Sequence, residues 1–499
     1  MHRRAFLKSA GVLGVTAAAS PFFAAGGLIR QARAMPAIEQ VNFVPPAVLP
    51  QIIHVFLYGG PSELAGNLSN IAQINTVSQT AYPDELLRAV SNDNGQITRH
   101  GFWQDAGGAA MEDMLAAGDM SVYRTINRRK NNTRAHRPSV FSCQKGSLDI
   151  EQAPGVGTTL AAVLNANRSL LEGTDLLGGR TLLNLVLPFI SFEGTTTAFA
   201  PDPDNRLPMQ LKGLSLDERF DNPYTRGDND HDAELQALIN QVVDATQRSR
   251  FDKVAEGFEM RRDMEALIGN LQSAADNPLP VVPGNEDDPD IDPATRTLRY
   301  PDNNGFSARI KAAVTLAIEN PDSLYITVGG GLGGWDDHNS AIERYEPRMQ
   351  QLMQALRVAT KHIRYSDVAY GGTRRTDNII INVHGDFGRN VNLNNSAGWD
   401  HGNNQNLYTF GGAGVRQGGR RALGKVVGKT QIFGSAKENR LFTEPTDDSY
   451  EAEPMSIAAS VYRYFGVRNP QVLTRDDEMN PAGDAPLDET VPGEASMFG

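Results

Sequence analysis

Three short runs rich in Asp, His and Gly carry the side chains best suited to bind a metal ion. They lie at residues 329–338, 384–389 and 398–402. Zinc, manganese and iron accept neutral imidazole nitrogen and carboxylate oxygen, and neighbouring glycines let the backbone approach a bound ion closely. We predict a divalent metal site, with zinc, manganese, iron or calcium as candidates. The predicted ligands are Asp336, His338, Asp386, Asp400 and His401.

The competing interpretation is that these are ordinary turn residues, because Asp and His side chains often satisfy the backbone amides of loops. Two of the runs, however, directly follow predicted buried strands at 324–328 and 378–383. The carboxyl ends of parallel strands meet at one edge of a sheet, which is where such folds bind ligands. Convergence of three loops on that edge favours the metal site.

The elements that must position these runs alternate between strand and helix along the chain. This order predicts an α/β fold with a mostly parallel central sheet and helices on both faces. The predicted strands are 52–58, 120–123, 181–187, 324–328 and 378–383. The predicted helices are 111–117, 158–165, 232–273, 306–319, 340–363 and 455–465, and the second-last of the strand-flanking helices, 232–273, is expected to cover one face of the sheet.

Composition narrows the possible partners and site types. The 499 residues are 40% hydrophobic, typical of a globular protein, and their net charge of −12 argues against binding nucleic acid or anionic lipid. A single cysteine, Cys143, excludes an internal disulfide and a cysteine-rich zinc site. Since Cys143 lacks the sequence context of a modified nucleophile, we predict a buried structural thiol.

The N-terminus has the pattern of an export signal. Arg3 and Arg4 precede a weakly apolar stretch that ends at Ala32-Arg33-Ala34, a pattern that signal peptidase accepts. We predict that residues 1–34 are a twin-arginine signal peptide read by the twin-arginine export machinery. The mature chain is then periplasmic or secreted, with no stable membrane span after cleavage. Residues 35–499 are predicted to form one large α/β domain, with an acidic, proline-rich surface insertion at about 276–304.

Several motifs together resemble one known family over nearly the whole mature chain. They are the twin-arginine start, Gly59-Gly60-Pro61-Ser62, His136-Arg137-Pro138-Ser139, Trp335-Asp336-Asp337-His338, Asp386-Phe387-Gly388-Arg389, Asp400-His401-Gly402 and the glycine-rich 410–419. In the same order, they look like domain-of-unknown-function family 1501. That family is similar in fold to alkaline phosphatases and sulfatases, which hydrolyse phosphate or sulfate esters with one or two bound metals. The resemblance therefore implies an alkaline-phosphatase/sulfatase-like fold.

The resemblance also implies individual roles. Asp336 and His338 resemble one ligand pair of the phosphatase and sulfatase group. Asp386 resembles its carboxylate that follows a strand, and His401 resembles its later histidine. Phe387 departs from the pattern, because the sulfatases have a histidine there. One ligand of a second metal is therefore expected to be missing.

Two further positions bear on the nucleophile and on a second metal. Relatives often have Asp where this chain has Ala65, so that Glu63 is the nearest carboxylate in the loop after the first strand. His136 stands where the sulfatases place their nucleophile at a helix start. It accepts a phosphoryl group, binds the metal or caps the helix, and these three roles stay open at this point.

The sequence favours an exported, metal-dependent hydrolase acting on a small-molecule or polysaccharide ester of phosphate or sulfate. His136 and Arg389 are the predicted catalytic residues, with Arg389 contacting the anion through paired hydrogen bonds. The alternative is a non-catalytic secreted binding or assembly protein on a degenerate fold of the same type. Ala65 and Phe387 motivate that alternative, because lost ligands weaken a metal site before they weaken a fold.

Overall fold

The architecture is that of a computed structural model of the chain. It describes residues 38–68, 82, 97–130, 133–202, 214–221, 234, 237–238, 241–242, 252–276, 288–301, 305–369, 376–411, 416–417, 420–421, 423–435 and 440–474. The predicted export signal lies outside these residues, so export stays a prediction. The single-domain organisation also stays a prediction. Within the part of the chain that is described, no helix combines the length and the apolar composition needed to cross a membrane.

Strands and helices alternate over most of the described chain. The strands are β1 (Gln51–Leu57), β2 (Met120–Asn127), β3 (Phe189–Ser191), β4 (Leu214–Ser215), β5 (Tyr325–Gly329), β6 (Ile379–Gly385), β7 (Asn404–Gly411), β8 (Arg416–Gln417), β9 (Arg420–Arg421), β10 (Val426–Val427), β11 (Thr430–Ser435) and β12 (Arg440–Pro445). The α-helices are α1 (Ala109–Ala117), α2 (His136–Lys145), α3 (Val156–Ala166), α4 (Asp252–Asp276), α5 (Gly305–Glu319), α6 (Ala341–Ala369), α7 (Pro454–Tyr464) and α8 (Gln471–Thr474). Short 3-10 turns lie at Ile38–Gln40, Leu64–Gly66, Arg168–Leu170, Asp175–Leu177, Leu182–Asn184 and Thr197–Phe199, and a π turn lies at Gln104–Gly108.

The central sheet has eight strands in the order β10-β2-β7-β6-β1-β5-β3-β4. β7 runs antiparallel to both of its neighbours, β2 and β6. The remaining pairs in this sheet are parallel. The predicted α/β class with a mostly parallel central sheet is therefore confirmed. Two hairpins, β8–β9 and β11–β12, form separate two-stranded sheets.

Alternating side chains of the sheet strands feed two hydrophobic cores. On β1, Ile53 and Val55 join the core shared with α1, α5 and α6. Ile52 points the other way and joins the core shared with α3 and α7. Because successive strand residues face opposite sides, fully buried strands of this kind need helices on both faces. The prediction of helices on both faces is confirmed.

Two predicted elements differ from the structure. The predicted strand 181–187 is wrong: Leu182–Asn184 form a 3-10 turn, and pairing with β5 begins only at Phe189. Leu182 and Leu185 are nevertheless buried, so the apolar run reports burial and not strand geometry. The strand β7 was not predicted, because its sequence, Asn404–Gly411, mixes amides with apolar residues although all of it is buried.

The predicted helix 232–273 is correct only in its second part. Met264, Ile268 and Leu271 of α4 are buried in the main core. By contrast Leu238 and Val242, which belong to the predicted apolar stripe, are 56% and 55% exposed. Hydrophobic periodicity identifies the residues that share a helix face, but it does not say which part of that face meets the sheet.

The described part of the acidic, proline-rich segment packs against helix α6. Ile291 and Leu298 pair across a short β-bridge and form a small core with Val358 and Tyr365 of α6. Asp290, which is buried, accepts hydrogen bonds from Arg357 and from Lys361 at 2.6–2.9 Å. The expectation of a solvated loop is therefore wrong for residues 288–301, because basic residues of α6 neutralise its acidic ones.

Replacing Asp290 by Ala is expected to lower the free energy of unfolding by about 2–4 kcal/mol, because it leaves two cations without their buried partner. The measurement is denaturant unfolding of the purified chain. Asp292→Ala on the same loop is the matched control. Asp292 only accepts a hydrogen bond from the Ala294 amide, so about 1 kcal/mol or less is expected there. Equal losses in the two variants would contradict this assignment.

Candidate metal centre

The three predicted runs meet at the carboxyl ends of β1, β5 and β6, and their backbones are hydrogen-bonded to one another. The Trp335 amide donates to the carbonyl of Tyr58 at 2.9 Å, which joins the β5 loop to the end of β1. The Trp399 amide donates to the Asp337 carbonyl, and the Asn390 amide donates to the Asp400 carbonyl, each at 2.8 Å. The predicted convergence of these loops is therefore present in the structure.

Two glycines allow this close approach. Gly59 has a φ of +108°, and a Cβ there would lie 2.6 Å from the backbone nitrogen of Asp336. A Cβ on Gly398 would lie 2.0 Å from the carbonyl carbon of His338. Both distances are shorter than any carbon contact allows, so a side chain at either position would separate the loops that carry Asp336 and His338.

His136 enters the same site from helix α2, at its first residue. The N-cap residue is Ala135, which offers no side-chain cap, so His136 does not cap the helix. Its ring turns instead toward the β6 loop and lies 4.8 Å from the ring of Phe387. Of the three roles left open for His136, helix capping is therefore wrong.

Three imidazoles are held in the same way, each through its Nδ1 atom. His136 Nδ1 lies 2.7 Å from Asp386 Oδ2, and His338 Nδ1 lies 3.1 Å from Asp400 Oδ1. His401 Nδ1 lies 2.5 Å from the carbonyl oxygen of Arg134. Carboxylate and carbonyl oxygens only accept, so each Nδ1 carries the proton, and the neutral ring presents its Nε2 lone pair. Metal-binding histidines are commonly oriented by such contacts.

The three Nε2 atoms converge on Oδ1 of Asp336. The distances to this oxygen are 3.4 Å from His136, 3.0 Å from His338 and 3.5 Å from His401. The Nε2 atoms of His338 and His401 are 3.0 Å apart. Ligand atoms bound at 2.0–2.1 Å around a tetrahedral ion are about 3.3 Å from one another. Three nitrogens and one oxygen thus have the spacing of a tetrahedral ligand set.

The donors also have the chemistry of a metal site. His136 Nε2 is buried and has no hydrogen-bond partner within the described residues. Atoms of His136, Asp336 and His401 form the candidate metal-binding group of that part of the chain, all within 4.8 Å of one another. An unsatisfied buried nitrogen is costly without a ligand, so the residues present fit a bound divalent cation.

The electrostatics of the site keep its ligands in binding form. Burial raises the pKa of Asp336, but the hydrogen bond and charge of Arg389 outweigh it, and the pKa lies below its usual value. Burial lowers the pKa of His401, which favours the neutral ring. The hydrogen bond to Asp386 raises the pKa of His136. A metal binding His136 therefore competes with a proton, and its affinity falls as the solution becomes acidic.

Arg389 is buried beneath the site and does not face an anion. Its guanidinium donates to the carbonyls of Gly59, Gly60, Trp335 and Trp399, and to Asp336 Oδ1 at 2.6 Å. The predicted pairing of Arg389 with a substrate anion is wrong in this structure, since the donors of the side chain are already engaged and it has no exposed surface. Arg389 instead positions Asp336.

Asp386 and Asp400 were predicted as ligands, but the structure gives them the role of orienting histidines. Asp386 is fully buried, and its other oxygen accepts from the Gly59 amide at 3.1 Å. Asp400 Oδ1 also accepts from Asn394 at 3.1 Å. Both carboxylates therefore lie behind an imidazole. Asp336, His338 and His401 lie at the centre as predicted, and His136 joins them.

Two other residues of interest lie under the site. His384 is fully buried, and burial lowers its pKa to about 4. Cys143 is buried beside the carbonyls of Gly385 and Asp386, and burial raises the pKa of its thiol to about 12. An uncharged, buried thiol agrees with the predicted structural role.

The neighbourhood of Phe387 bears on the expected loss of a second metal. The Phe387 ring packs on His401 at 4.4 Å and on His136 at 4.8 Å, where it fills space beside the site with carbon. Ala65 is buried, and Glu63 accepts a hydrogen bond from Asn404 at 2.6 Å in the protein interior. In the described residues Glu63 is therefore part of a buried hydrogen-bonded structure and not of the candidate metal group.

Two contributions to this site were missed in the sequence. The Arg134 carbonyl orients His401, but a backbone atom leaves no trace in residue type. The packing of Phe387 was also missed as a function of its own. Its position in Asp386-Phe387-Gly388-Arg389, between an orienting carboxylate and the buried Arg389, was the available signal.

The two acidic roles are separable by metal affinity. Asp336→Ala removes a ligand and is expected to abolish stoichiometric zinc binding. Asp386→Asn removes only the partner of His136 Nδ1, so affinity is expected to fall about 10–100-fold. Competition with a chromogenic chelator on the purified chain measures both. Loss of binding in Asp386→Asn as complete as in Asp336→Ala would make Asp386 a direct ligand.

Arg389→Met tests the positioning role of the buried guanidinium. It leaves a cluster of carbonyls and Asp336 without a donor, and we expect the free energy of unfolding to fall by about 3–5 kcal/mol. Thermal and denaturant unfolding measure the change. Wild-type stability together with lost affinity for inorganic phosphate would instead restore the anion-binding role.

Comparison with known proteins follows from this geometry. No protein among the curated sequences matches the chain. The structure of Ps i-CgsB in complex with k-i-k-neocarrahexaose is similar with a TM-score of 0.36 and 10% identity, covering 90% of this chain and 77% of that one. The alkaline phosphatase from the Antarctic bacterium TAB5 is similar with a TM-score of 0.28 and 12% identity, covering 74% and 93%. TM-scores below 0.5 carry no conclusion about function.

Family membership rests on the sequence itself. The model of the family described as "Protein of unknown function (DUF1501)" matches residues 50–444, which include β1 and all four residues of the tetrahedral set. The match spans most of the chain and agrees with the resemblance seen in the motifs. The chain belongs to the DUF1501 family.

Proposed function

We propose that this chain is an exported, metal-dependent hydrolase of phosphate or sulfate esters. One observation carries the proposal: the Nε2 atoms of His136, His338 and His401 converge with Asp336 Oδ1 at the spacing of a tetrahedral ligand set. The exported location rests on Arg3 and Arg4 and the small-residue cleavage pattern of the N-terminus.

The donor set favours particular ions. Three imidazole nitrogens and one carboxylate oxygen suit zinc, and iron or manganese accept the same atoms. Calcium takes six to eight oxygen ligands, which this set does not offer. When bound, such an ion polarises an ester oxygen and lowers the pKa of a bound water.

The surrounding residues hold the ligands and leave one side open. Asp386, Asp400 and the Arg134 carbonyl fix the three imidazole rings, and Arg389 fixes Asp336. Asp336 is 46% exposed, so the ligand cluster faces solvent and an ester can reach it. A catalytic metal site needs such an open position, whereas a structural site is closed by protein ligands.

The arrangement favours water as the attacking group. Both nitrogens of His136 are engaged, Nδ1 with Asp386 and Nε2 facing Asp336. A histidine in this position serves better as a ligand than as an acceptor of a phosphoryl group, because the attacking nitrogen needs a free lone pair. Of the roles left open for His136, we therefore propose metal binding.

One observation favours a second candidate, a secreted binding protein that keeps its metal but does not catalyse. The Phe387 ring lies against both His136 and His401, where it limits the site to one ion. A phosphatase that uses two metals stabilises both the attacking and the leaving oxygen, and a single ion loses part of that stabilisation. Metal content and catalysis therefore need separate measurements.

The test is hydrolysis of 4-nitrophenyl phosphate and 4-nitrophenyl sulfate by the purified chain loaded with zinc, manganese or iron. Release of 4-nitrophenol is expected, and chelation or Asp336→Ala is expected to lower the rate by about a hundredfold or more. His100→Ala is the matched control, since His100 pairs with Glu112 outside the site, and its rate should stay within about twofold.

Full metal occupancy without hydrolysis of either ester would favour the binding protein over the enzyme. Absence of bound metal in a folded chain would remove the basis of both candidates. A rate that is unchanged in Asp336→Ala would place any hydrolysis outside this metal centre.

A further inference from the structure

A preorganised guanidinium lies beside the metal centre. Arg134 is two residues before His136, so their Cα atoms are at most about 7.6 Å apart, and its carbonyl holds His401. Its Nε donates to Asn403 Oδ1 at 3.0 Å, and its guanidinium carbon lies 4.3 Å from the centre of the Phe442 ring. These two contacts fix the plane of the guanidinium while its two terminal amino groups point away from Nε.

A second arginine shares this position. Arg440 lies on β12 two residues before Phe442, so both side chains are on the same face of the strand. Burial and the charge of Arg440 lower the pKa of the Arg134 guanidinium, which indicates that the two cations are close together. Neither arginine forms an ion pair within the described part of the chain. Like charges held side by side repel, and an anion bound between them relieves the repulsion.

The hairpin extends this basic position with exposed aromatic surface. In the β11–β12 register Phe433 is directly opposite Phe442, so the two rings share one face. Phe433 is 57% exposed, which is unusual for so large an apolar side chain in this protein. An exposed aromatic patch next to charged groups is typical of a ligand-binding surface.

We propose that the face formed by Arg134, Phe433, Arg440 and Phe442, here called the hairpin face, binds an anionic oligosaccharide that carries the ester to be hydrolysed. The aromatic rings pack against the apolar C–H faces of sugar rings, because the negative ring face attracts C–H hydrogens. The arginine pair binds a sulfate, phosphate or carboxylate group of the oligosaccharide through paired hydrogen bonds. The neighbouring ester group then lies at the metal centre.

The surface favours a sugar chain over a nucleic acid, although both combine rings with negative charge. The whole chain carries a net charge of −12, which repels a long, uniformly charged phosphate backbone. A local pair of arginines on an acidic protein suits instead a ligand whose charges are few and spaced. The identity of the ester reaction rests on the proposed function, whereas binding to the hairpin face is a separate property.

The test measures binding by calorimetry on the full-length purified chain. The probes are a sulfated dextran oligosaccharide, the neutral dextran oligosaccharide of the same length, and a single-stranded DNA with the same number of charges. We expect the sulfated probe to bind and Arg440→Gln or Arg134→Gln to weaken it about tenfold each. Phe433→Ala is expected to weaken it about threefold. Arg440 and Phe433 are exposed, so these two variants are expected to fold even if Arg134→Gln does not.

Arg137→Gln is the matched control. Arg137 lies on the next turn of chain at the start of α2, but it pairs with Glu151 at 3.6 Å, so binding should change less than about twofold. Equal weakening in Arg137→Gln and Arg440→Gln would overturn the proposal in favour of general charge attraction. Equal or tighter binding of the DNA, or of neutral dextran, would also overturn it.

A repeat of the titration on Asp336→Ala separates this proposal from the function of the metal centre. That variant loses the metal ligand but keeps all four residues of the hairpin face, so we expect sulfated dextran to bind it within about threefold of wild type. If hydrolysis fails in the wild type while this binding persists, the proposed function is wrong and the binding surface stands. Loss of binding in Asp336→Ala would overturn the hairpin face as an independent site.

Discussion

A single buried cation holds the metal centre together. The guanidinium of Arg389 has no exposed surface, so each of its donors must find an acceptor inside the protein. Those acceptors belong to the loop after β1, the loop after β5 and the segment around Trp399. The three loops therefore cannot separate without stranding a buried charge. Because Asp336 is one of these acceptors, the same constraint sets the position of the central ligand.

The antiparallel strand β7 explains how His401 reaches this edge. The chain leaves the sheet at the end of β6 and returns in β7, which runs the opposite way beside it. The connection therefore stays at the carboxyl edge of the parallel strands, and it brings both Asp386 and His401 there. A parallel strand in this place would begin at the far edge of the sheet. The one exception to the parallel sheet is thus the element that completes the site.

The metal centre and the hairpin face meet at Arg134, which contributes through two different groups. Its backbone carbonyl orients His401, while its side chain lies on Phe442 of β12. The same residue thereby links an ion-binding site to a basic, aromatic surface on an otherwise acidic protein. A substrate that spans both would be positioned by one rigid segment, since Asn403 also anchors Arg134 close to His401. Such coupling favours large ester substrates over small ones.

Residue order and periodicity were enough to predict the α/β class, most helices and five central side chains, because buried strands and amphipathic helices are locally encoded. They also placed Asp336, His338 and His401 after strands, at the edge where parallel sheets bind ligands. Long-range packing decided the roles. His136 and Asp386 touch across 250 residues of sequence, and only their 2.7 Å contact makes one a candidate ligand and the other its orienting partner. Arg389 likewise became a buried clamp instead of an anion contact, because no local pattern reports which carbonyls will surround a charge.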